Sequence, residues 1–306
     1  MYSPSYLELH RNGELALRAD TLSEIASSCR LCPHRCEVSR REGETGTCRS
    51  PYEAVVSSAF AHFGEETPLV GSRGSGTIFF CGCNLRCSFC QNWEISHGTG
   101  GGRRVNASGL AELMLGLQRQ GCHNINLVTP THYTHVIVGA LELAVDRGLN
   151  LPLVYNCGGY ESVEVLCLLE GVIDIYMPDV KFFDDKAAVR FLSCGDYGTH
   201  TRQALAEMHR QVGELRLAPT GVAYRGLLVR HLVLPDGLGG TGEWAGWIAR
   251  NLSAETYVNI MGQYRPCHQA GEDPRIARRP SAQELAAARE QALAAGLTGR
   301  GFVSEL

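Results

Sequence analysis

The sequence lacks the features that identify several large classes of protein. No apolar run in the 306-residue chain approaches the roughly 18 residues of a membrane-spanning helix. No stretch of lysine and arginine is dense enough to bind nucleic acid, and the net charge is −4. The first twenty residues carry charges throughout and contain no apolar centre of a signal peptide. We therefore expect a cytoplasmic protein that binds neither a membrane nor nucleic acid.

The chain also lacks the pattern of a disulfide-stabilised secreted domain. Its thirteen cysteines are an odd number and cannot all pair, and secreted disulfide scaffolds are usually much shorter. In a reducing compartment the simplest role of so many cysteines is to bind metal. The glycines at 71, 74 and 76 have neither the spacing nor the Lys-Ser/Thr ending of a phosphate-binding loop, which excludes nucleoside triphosphate binding there.

The composition is that of a globular protein with a sizeable core. Hydrophobic residues make up 44% of the chain and charged residues 20%. We divide the chain into an N-terminal extension with a four-cysteine segment (1–75), a core (76–266) and a C-terminal helical tail (267–306).

Short apolar runs alternate with amphipathic stretches throughout the core. The runs predict strands at residues 77–80, 124–128, 151–155, 173–177, 227–234 and 256–260. The amphipathic stretches predict helices at residues 108–120, 135–146, 162–169, 186–192, 199–211 and 244–251, with a last helix at 281–295 outside the barrel. Ser108 is the predicted N-cap of the first of these helices. Six βα units with buried strands predict an α/β fold, a partial (βα)6 barrel of the TIM type.

Three cysteines follow the first predicted strand in "CGCNLRCSFCQNWEIS". Cys83, Cys87 and Cys90 are separated by three residues and then two, so their thiolates can converge on one site. Thiolates favour iron–sulfur clusters or zinc. Three ligands leave one position of a four-iron cluster without a protein ligand, where a substrate can bind. A zinc loop or a set of free core thiols is the alternative interpretation.

With these residues in view, the sequence resembles the radical S-adenosylmethionine (SAM) superfamily, whose signature is this spacing with an aromatic residue, here Phe89, before the third cysteine. The surrounding "GEETPLVGSRGSGTIFFCGCNLRCSFCQNWEIS" is similar to the branch of pyruvate formate-lyase activating enzyme-like proteins. The resemblance implies a [4Fe–4S] cluster on the three cysteines. It further implies reductive cleavage of SAM to a 5′-deoxyadenosyl radical that abstracts hydrogen from a substrate.

Residues at the ends of later strands are candidates for SAM binding, because parallel α/β units carry their chemistry there. Thr129 begins the "TPT" segment, which stands where the superfamily commonly grips the SAM amine. Asn156 ends the third strand and either contacts the ribose or methionine or simply forms a turn. His132, beyond Thr129, is either a surface residue or a ligand.

Asp179 and Lys181 end the fourth predicted strand and are two residues apart, so they face the same side. The pair is similar to the Asp-x-Lys segment of glycyl-radical activating enzymes, which helps to position SAM. A surface salt bridge is the alternative. Arg230 and His231 are adjacent in the fifth strand and face opposite sides, so at most one of them faces the barrel interior. His231 has the stronger family resemblance, and we predict that it binds the cofactor.

Four further cysteines lie in the N-terminal extension, in "SSCRLCPHRCEVSRREGETGTCRS". Cys29, Cys32, Cys36 and Cys48 fall within twenty residues of a polar segment that cannot build its own core. They predict a metal site, either a structural zinc ion or an auxiliary iron–sulfur cluster. Free thiols are the alternative. The remaining cysteines have no ligand spacing, and we expect Cys122 and Cys167 in the core.

The sequence thus predicts a radical SAM enzyme with oxidoreductase or lyase chemistry and no catalytic side chain that can be named. One hypothesis is action on a small-molecule or peptide substrate, with the barrel mouth closed by the N-terminal segment and residues 262–280. The other is an activase that installs a glycyl radical on a partner enzyme through an open mouth. An electron donor such as flavodoxin or ferredoxin is an expected partner in both cases.

Overall fold

A computed structural model describes residues 2–98 and 101–302. The strands of these residues form one mixed sheet, with helices packed outside it. They are β1 (Ala54–His62), β2 (Ser75–Phe80), β3 (Arg103–Val105), β4 (Ile125–Val128), β5 (Leu153–Cys157), β6 (Ile175–Val180), β7 (Arg216–Leu217), β8 (Ala223–Leu232) and β9 (Tyr257–Met261).

Six of the strands are parallel and form the partial barrel. They pair in the order β2, β4, β5, β6, β8 and β9. Every residue of β5 is buried, as expected for a strand covered on both faces. All six predicted strands are present, with ends displaced by a few residues, and the predicted α/β partial barrel is confirmed.

Three strands at the sheet edges were not predicted. β1 pairs antiparallel with β2 and carries β3 on its other side, and β7 pairs antiparallel with β8. Because β1 runs against β2, its last residue, His62, lies opposite Ser75 at the start of β2. The chain therefore leaves β1 at the N-terminal end of the barrel, opposite to the end that carries the cysteine loop.

The helices surround the sheet. They are α1 (Tyr6–Arg11), α2 (Glu14–Ser27), α3 (Thr67–Val70), α4 (Trp93–Ser96), α5 (Ala107–Arg119), α6 (Thr134–Val145), α7 (Val163–Leu168), α8 (Asp185–Leu192), α9 (Tyr197–Val212), α10 (Thr241–Asn251) and α11 (Ala282–Ala294). α11 packs on α10 outside the barrel, as predicted. In the described part of the chain, no helix is long and apolar enough to cross a membrane.

Two expectations about local structure are corrected. The N-cap of α5 is Asn106, whose side chain accepts a hydrogen bond from the Gly109 amide; Ser108 already lies inside the helix. The start of the chain is not merely polar, because α2 packs on α6 and buries Leu15, Leu22 and Ile25.

Candidate functional site

The three signature cysteines lie on the loop that follows β2. Cys83, Cys87 and Cys90 all line one cavity of about 250 Å³ at the C-terminal end of the barrel. The loop is held from outside by α8, because the amides of Arg86 and Ser88 donate to the last carbonyls of that helix, at 3.2 and 2.9 Å. Neighbouring structure therefore fixes a loop that has no regular structure of its own.

Among the thiols of this loop, Cys87 is buried and Cys83 and Cys90 are half-buried. Burial raises the pKa of Cys83 to about 12 and raises that of Cys87 further, while the ammonium of Lys181 lowers both. Without a cation these thiols therefore stay protonated at neutral pH. A metal that replaces the protons would neutralise the thiolates, which is the setting in which buried cysteines act as ligands.

Four of the five predicted SAM-binding residues line the same cavity, and Lys181, which follows β6, is one of them. Thr129 follows β4, Asn156 lies in β5 and Asp179 lies in β6. Thr129 has a φ of +59°, which is rare for a β-branched residue. Such strained backbone is found where surrounding structure holds it in place, often at functional sites.

Asp179 is the centre of a charged group in the cavity wall. Lys181 donates to one carboxylate oxygen at 2.9 Å, and Arg230 donates to the other at 2.8 Å. Burial alone would raise the pKa of Asp179, but Arg230 and Lys181 hold it below its usual value. All three side chains line the cavity, so the Asp179–Lys181 pair is not a surface salt bridge.

Arg230 also connects the cavity to the opposite end of the barrel. Its guanidinium donates to the Asn156 side chain at 2.8 Å and pairs with Glu65 at 3.4 Å. Glu65 in turn accepts from Asn126 at 2.5 Å, and Glu66 accepts from Asn259 at 2.9 Å. Both glutamates follow β1, so the lead segment 62–66 inserts carboxylates into the barrel from its N-terminal end.

Sequence reasoning missed this role of Arg230 and the two glutamates. The consecutive Glu-Glu pair in the lead segment between β1 and β2 was the available signal, because buried carboxylates need cationic or amide partners.

The predicted cofactor contact of His231 is corrected. Its Nδ1 bonds to the Val180 carbonyl and its Nε2 to the Thr241 hydroxyl, each at 2.9 Å. The ring thus packs against α10, outside the cavity lined by the cysteines. Strand alternation places Arg230 inside and His231 outside, the reverse of the expectation.

His132 is neither on the surface nor in the cavity wall. It is 2% exposed, and its Nε2 bonds to the carbonyl of Cys81 at 2.9 Å. Burial lowers its pKa to about 3, so the ring is neutral. It therefore supports the backbone just before the cysteine loop.

The N-terminal cysteines lie beside the signature loop. Cys29 is buried, and Cys32, Cys36 and Cys48 are half-buried. In residues 2–98 and 101–302, no three Cys, His, Asp or Glu side chains stand at metal-binding positions, and this holds for the signature cysteines as well. Of the other cysteines, Cys122 is buried as expected, whereas Cys167 is exposed, so its predicted core position is wrong.

Comparison with known proteins gives two findings. The family described as "Radical SAM superfamily" matches residues 77–227. This stretch contains the three signature cysteines and the candidates at strand ends up to Lys181, but not the N-terminal cysteines. "Uncharacterized protein MJ0674" of Methanocaldococcus jannaschii is 34% identical over 295 residues, which cover 94% of this chain and 80% of the relative.

Proposed function

Because the chain belongs to the radical SAM superfamily, we propose that it is an enzyme that cleaves SAM reductively and acts on a small-molecule or peptide substrate. A bound [4Fe–4S] cluster with SAM supplies a 5′-deoxyadenosyl radical, which abstracts hydrogen from the substrate. The observation that carries the proposal is that three thiols and the polar strand-end residues line one cavity.

The residues present fit the cluster. Cys83, Cys87 and Cys90 supply three soft ligands from one loop. Cys157 at the end of β5 also lines the cavity, but it lies outside that loop. Cys87 is buried and Cys83 and Cys90 are half-buried, and the Lys181 ammonium offsets part of the negative charge that the thiolates of Cys83 and Cys87 bring. The loop would thus provide three protein ligands to the cluster, and we propose that SAM would bind at the coordination position that the loop leaves free.

The cavity wall also fits a ligand that carries both an amine and a carboxylate. Asp179 offers an anionic partner, and Lys181 and Arg230 offer cationic ones, all at the same wall. Thr129 and Asn156 add polar contacts beside them. We propose that these residues orient the methionine part of SAM, and that His231 does not take part.

Contacts of the segment after β9 favour a covered mouth. The Gln269 amide donates to the Ser88 carbonyl at 2.9 Å, and the His268 ring stacks on Trp93 with centroids 5.3 Å apart. Residues 262–280 thus lie against the signature loop. A covered mouth suits a small molecule or a chain end better than an internal loop of a folded partner enzyme.

The test is anaerobic reconstitution with iron and sulfide, reduction, and chromatography of 5′-deoxyadenosine after SAM is added. We expect cleavage by the wild type and none by Cys83→Ala, Cys87→Ala or Cys90→Ala. Cys167→Ala, which removes an exposed thiol elsewhere, should cleave SAM normally. Cleavage by any signature variant would refute the assignment.

A second assay separates the two substrate classes. Small molecules and peptides are screened for those that increase 5′-deoxyadenosine formation, and a glycyl radical enzyme is tested in parallel. A glycyl radical detected by electron paramagnetic resonance on the partner would favour the activase function. Reduced flavodoxin and ferredoxin are compared as electron donors in the same assay.

A further inference from the structure

The segment between α2 and β1 carries four thiols on very little regular structure. A single 3-10 turn at Arg40–Glu42 is its only helix, and it forms no strand. Cys29, Cys32, Cys36 and Cys48 are all free thiols. With so few apolar side chains, the segment needs another source of folding energy.

The backbone of the segment is folded tightly around its cysteines. The Cys29 amide donates to Val38 at 3.1 Å and the Arg35 amide to Cys32 at 3.0 Å, which closes two turns. Arg35 and Glu37, on either side of Cys36, have φ of +41° and +55°, a conformation that non-glycine residues rarely adopt. Unusual backbone on both sides of a cysteine indicates that the thiol must point in a required direction.

The four thiols are neighbours in the described structure, but no three of them stand at metal-binding positions. Cys32 lies close enough to Cys29 and Cys48 for their charges to interact. Cys36 lies against the chain just before Cys48, where a Cβ built on Gly46 would be 2.6 Å from the Cys36 sulfur. A zinc ion in a closed four-thiolate site would supply the folding energy that this segment needs. Between residues 30 and 49 five arginines outnumber three glutamates, and this excess offsets part of the charge of four thiolates.

The segment also braces the signature loop. His34 bonds to the Asn84 carbonyl at 2.7 Å, directly after Cys83. Ser50 packs on Gly82, where any Cβ would collide with its hydroxyl. Buried Arg40 donates to the carbonyl of His132 at 2.5 Å, and His132 bonds to the Cys81 carbonyl. These contacts hold residues 81–84, whereas α8 holds Arg86 and Ser88 of the same loop.

We propose that Cys29, Cys32, Cys36 and Cys48 bind one zinc ion in a closed four-thiolate site that positions the signature loop. The thiols release their protons to solvent as they bind Zn²⁺, and no redox change occurs. To bind the ion, the four side chains must move closer together, because no three of them stand at metal-binding positions in the described residues. The signature cysteines must move in the same way to bind their own metal. Only the positioning of the loop rests on the proposed function.

Metal analysis of the full chain, purified anaerobically and washed with chelator, tests the site. We expect about one zinc per chain beside about four irons in the reconstituted wild type. The triple variant Cys83→Ser/Cys87→Ser/Cys90→Ser should lose the iron and keep the zinc, while Cys29→Ser/Cys32→Ser loses the zinc. Cys167→Ser is the control and should keep both metals. About eight irons without zinc, or no zinc at all, would overturn the proposal.

His34→Ala tests the positioning role without removing a ligand. We expect the variant to keep its zinc but to lose iron several-fold faster during anaerobic gel filtration, with an altered electron paramagnetic resonance spectrum of the reduced cluster. Wild-type iron retention and spectrum in both His34→Ala and Cys29→Ser/Cys32→Ser would overturn this role. The zinc content of the triple variant is measured by metal analysis and does not depend on SAM cleavage. If the wild type failed to cleave SAM, the proposed function would fail, but the zinc result would still stand.

Discussion

Arg230 and His231 are neighbours in β8 whose surroundings differ completely. Arg230 faces the cavity and holds Asp179 and Asn156, whereas His231 is enclosed between β6 and α10. Each side chain has two or more hydrogen-bond partners, so neither can exchange its side of the sheet without leaving buried polar groups unpaired. Because Arg230 faces the cavity, it is the residue of this pair that can contact a bound ligand.

We predict that Arg230→Gln slows SAM cleavage roughly 10- to 100-fold, since Asp179 loses its cationic partner at the cavity wall. His231→Gln, at the adjacent position, should cleave SAM at nearly the wild-type rate. The measurement is initial 5′-deoxyadenosine formation at several SAM concentrations. If His231→Gln proves the slower variant, the orientation of β8 is wrong.

His231 should make folding stability depend on pH. Burial lowers its pKa to about 4 in the folded protein, below the value of about 6.5 in an unfolded chain. The unfolded state therefore takes up the proton first, and stability falls as the pH drops from about 6.5 towards 4. In His231→Gln the slope of the unfolding free energy against pH should be smaller by up to about 1.4 kcal/mol per pH unit. Denaturant unfolding across this range checks it, and an unchanged slope would contradict it.

At the scale of elements, short segments outside the regular βα repeat provide the important contacts. The lead segment 62–66 fills the barrel from its N-terminal end, and β1, which lies between β2 and the edge strand β3, puts it there. The N-cap of α5 lies directly after β3, which pairs with β1. Both features depend on a strand that has no counterpart in the alternating pattern of the core.

The two candidate N-caps of α5 allow a direct comparison. Asn106→Ala should lower the free energy of unfolding by about 1 kcal/mol, because the Gly109 amide loses its partner. Ser108→Ala should have little effect, since alanine favours a helix interior and residue 108 makes no capping bond. Urea unfolding of both variants decides between them; a larger loss in Ser108→Ala would restore the sequence-based prediction.

Glu65→Gln tests the carboxylate inside the barrel. The change leaves Arg230 with one anionic partner fewer in a buried setting, and we expect a loss of about 1–3 kcal/mol in the free energy of unfolding. Glu53→Gln changes an exposed carboxylate just before β1, at the end of that strand opposite to Glu65, and serves as the control. Equal stability of the two variants in urea would mean that Glu65 contributes nothing through its charge.

At the scale of the whole molecule, the N-terminal extension is joined to the barrel rather than appended to it. α2 packs against α6 and α7, and the four-cysteine segment contacts the signature loop. The Tyr2 hydroxyl donates to Asp174 at the start of β6, 172 residues away. Folding of the extension and of the barrel is therefore expected to be cooperative.

Truncation of Leu22 or Leu17 in α2 to alanine tests whether the extension and the barrel unfold together. Leu22 is fully buried, and Leu22→Ala should cost about 2–5 kcal/mol of unfolding free energy. Leu17 is 60% exposed, and the same truncation should cost far less. Urea unfolding followed by circular dichroism and by intrinsic fluorescence should give one transition for each. A separate early transition in Leu22→Ala would show that the extension unfolds alone.

The amino-acid sequence by itself determined the parallel strands, most of the helices and the loop with three cysteines, because periodicity and ligand spacing are local properties. The branch resemblance, the substrate and the domain limits stay predictions. Only the tertiary structure decided that Arg230 rather than His231 faces the cavity, that Glu65 pairs with it across 165 residues, and that His34 reaches the signature loop. Such contacts depend on how β1 and the N-terminal segment close onto the barrel, and no local pattern records which distant side chain neutralises a buried charge.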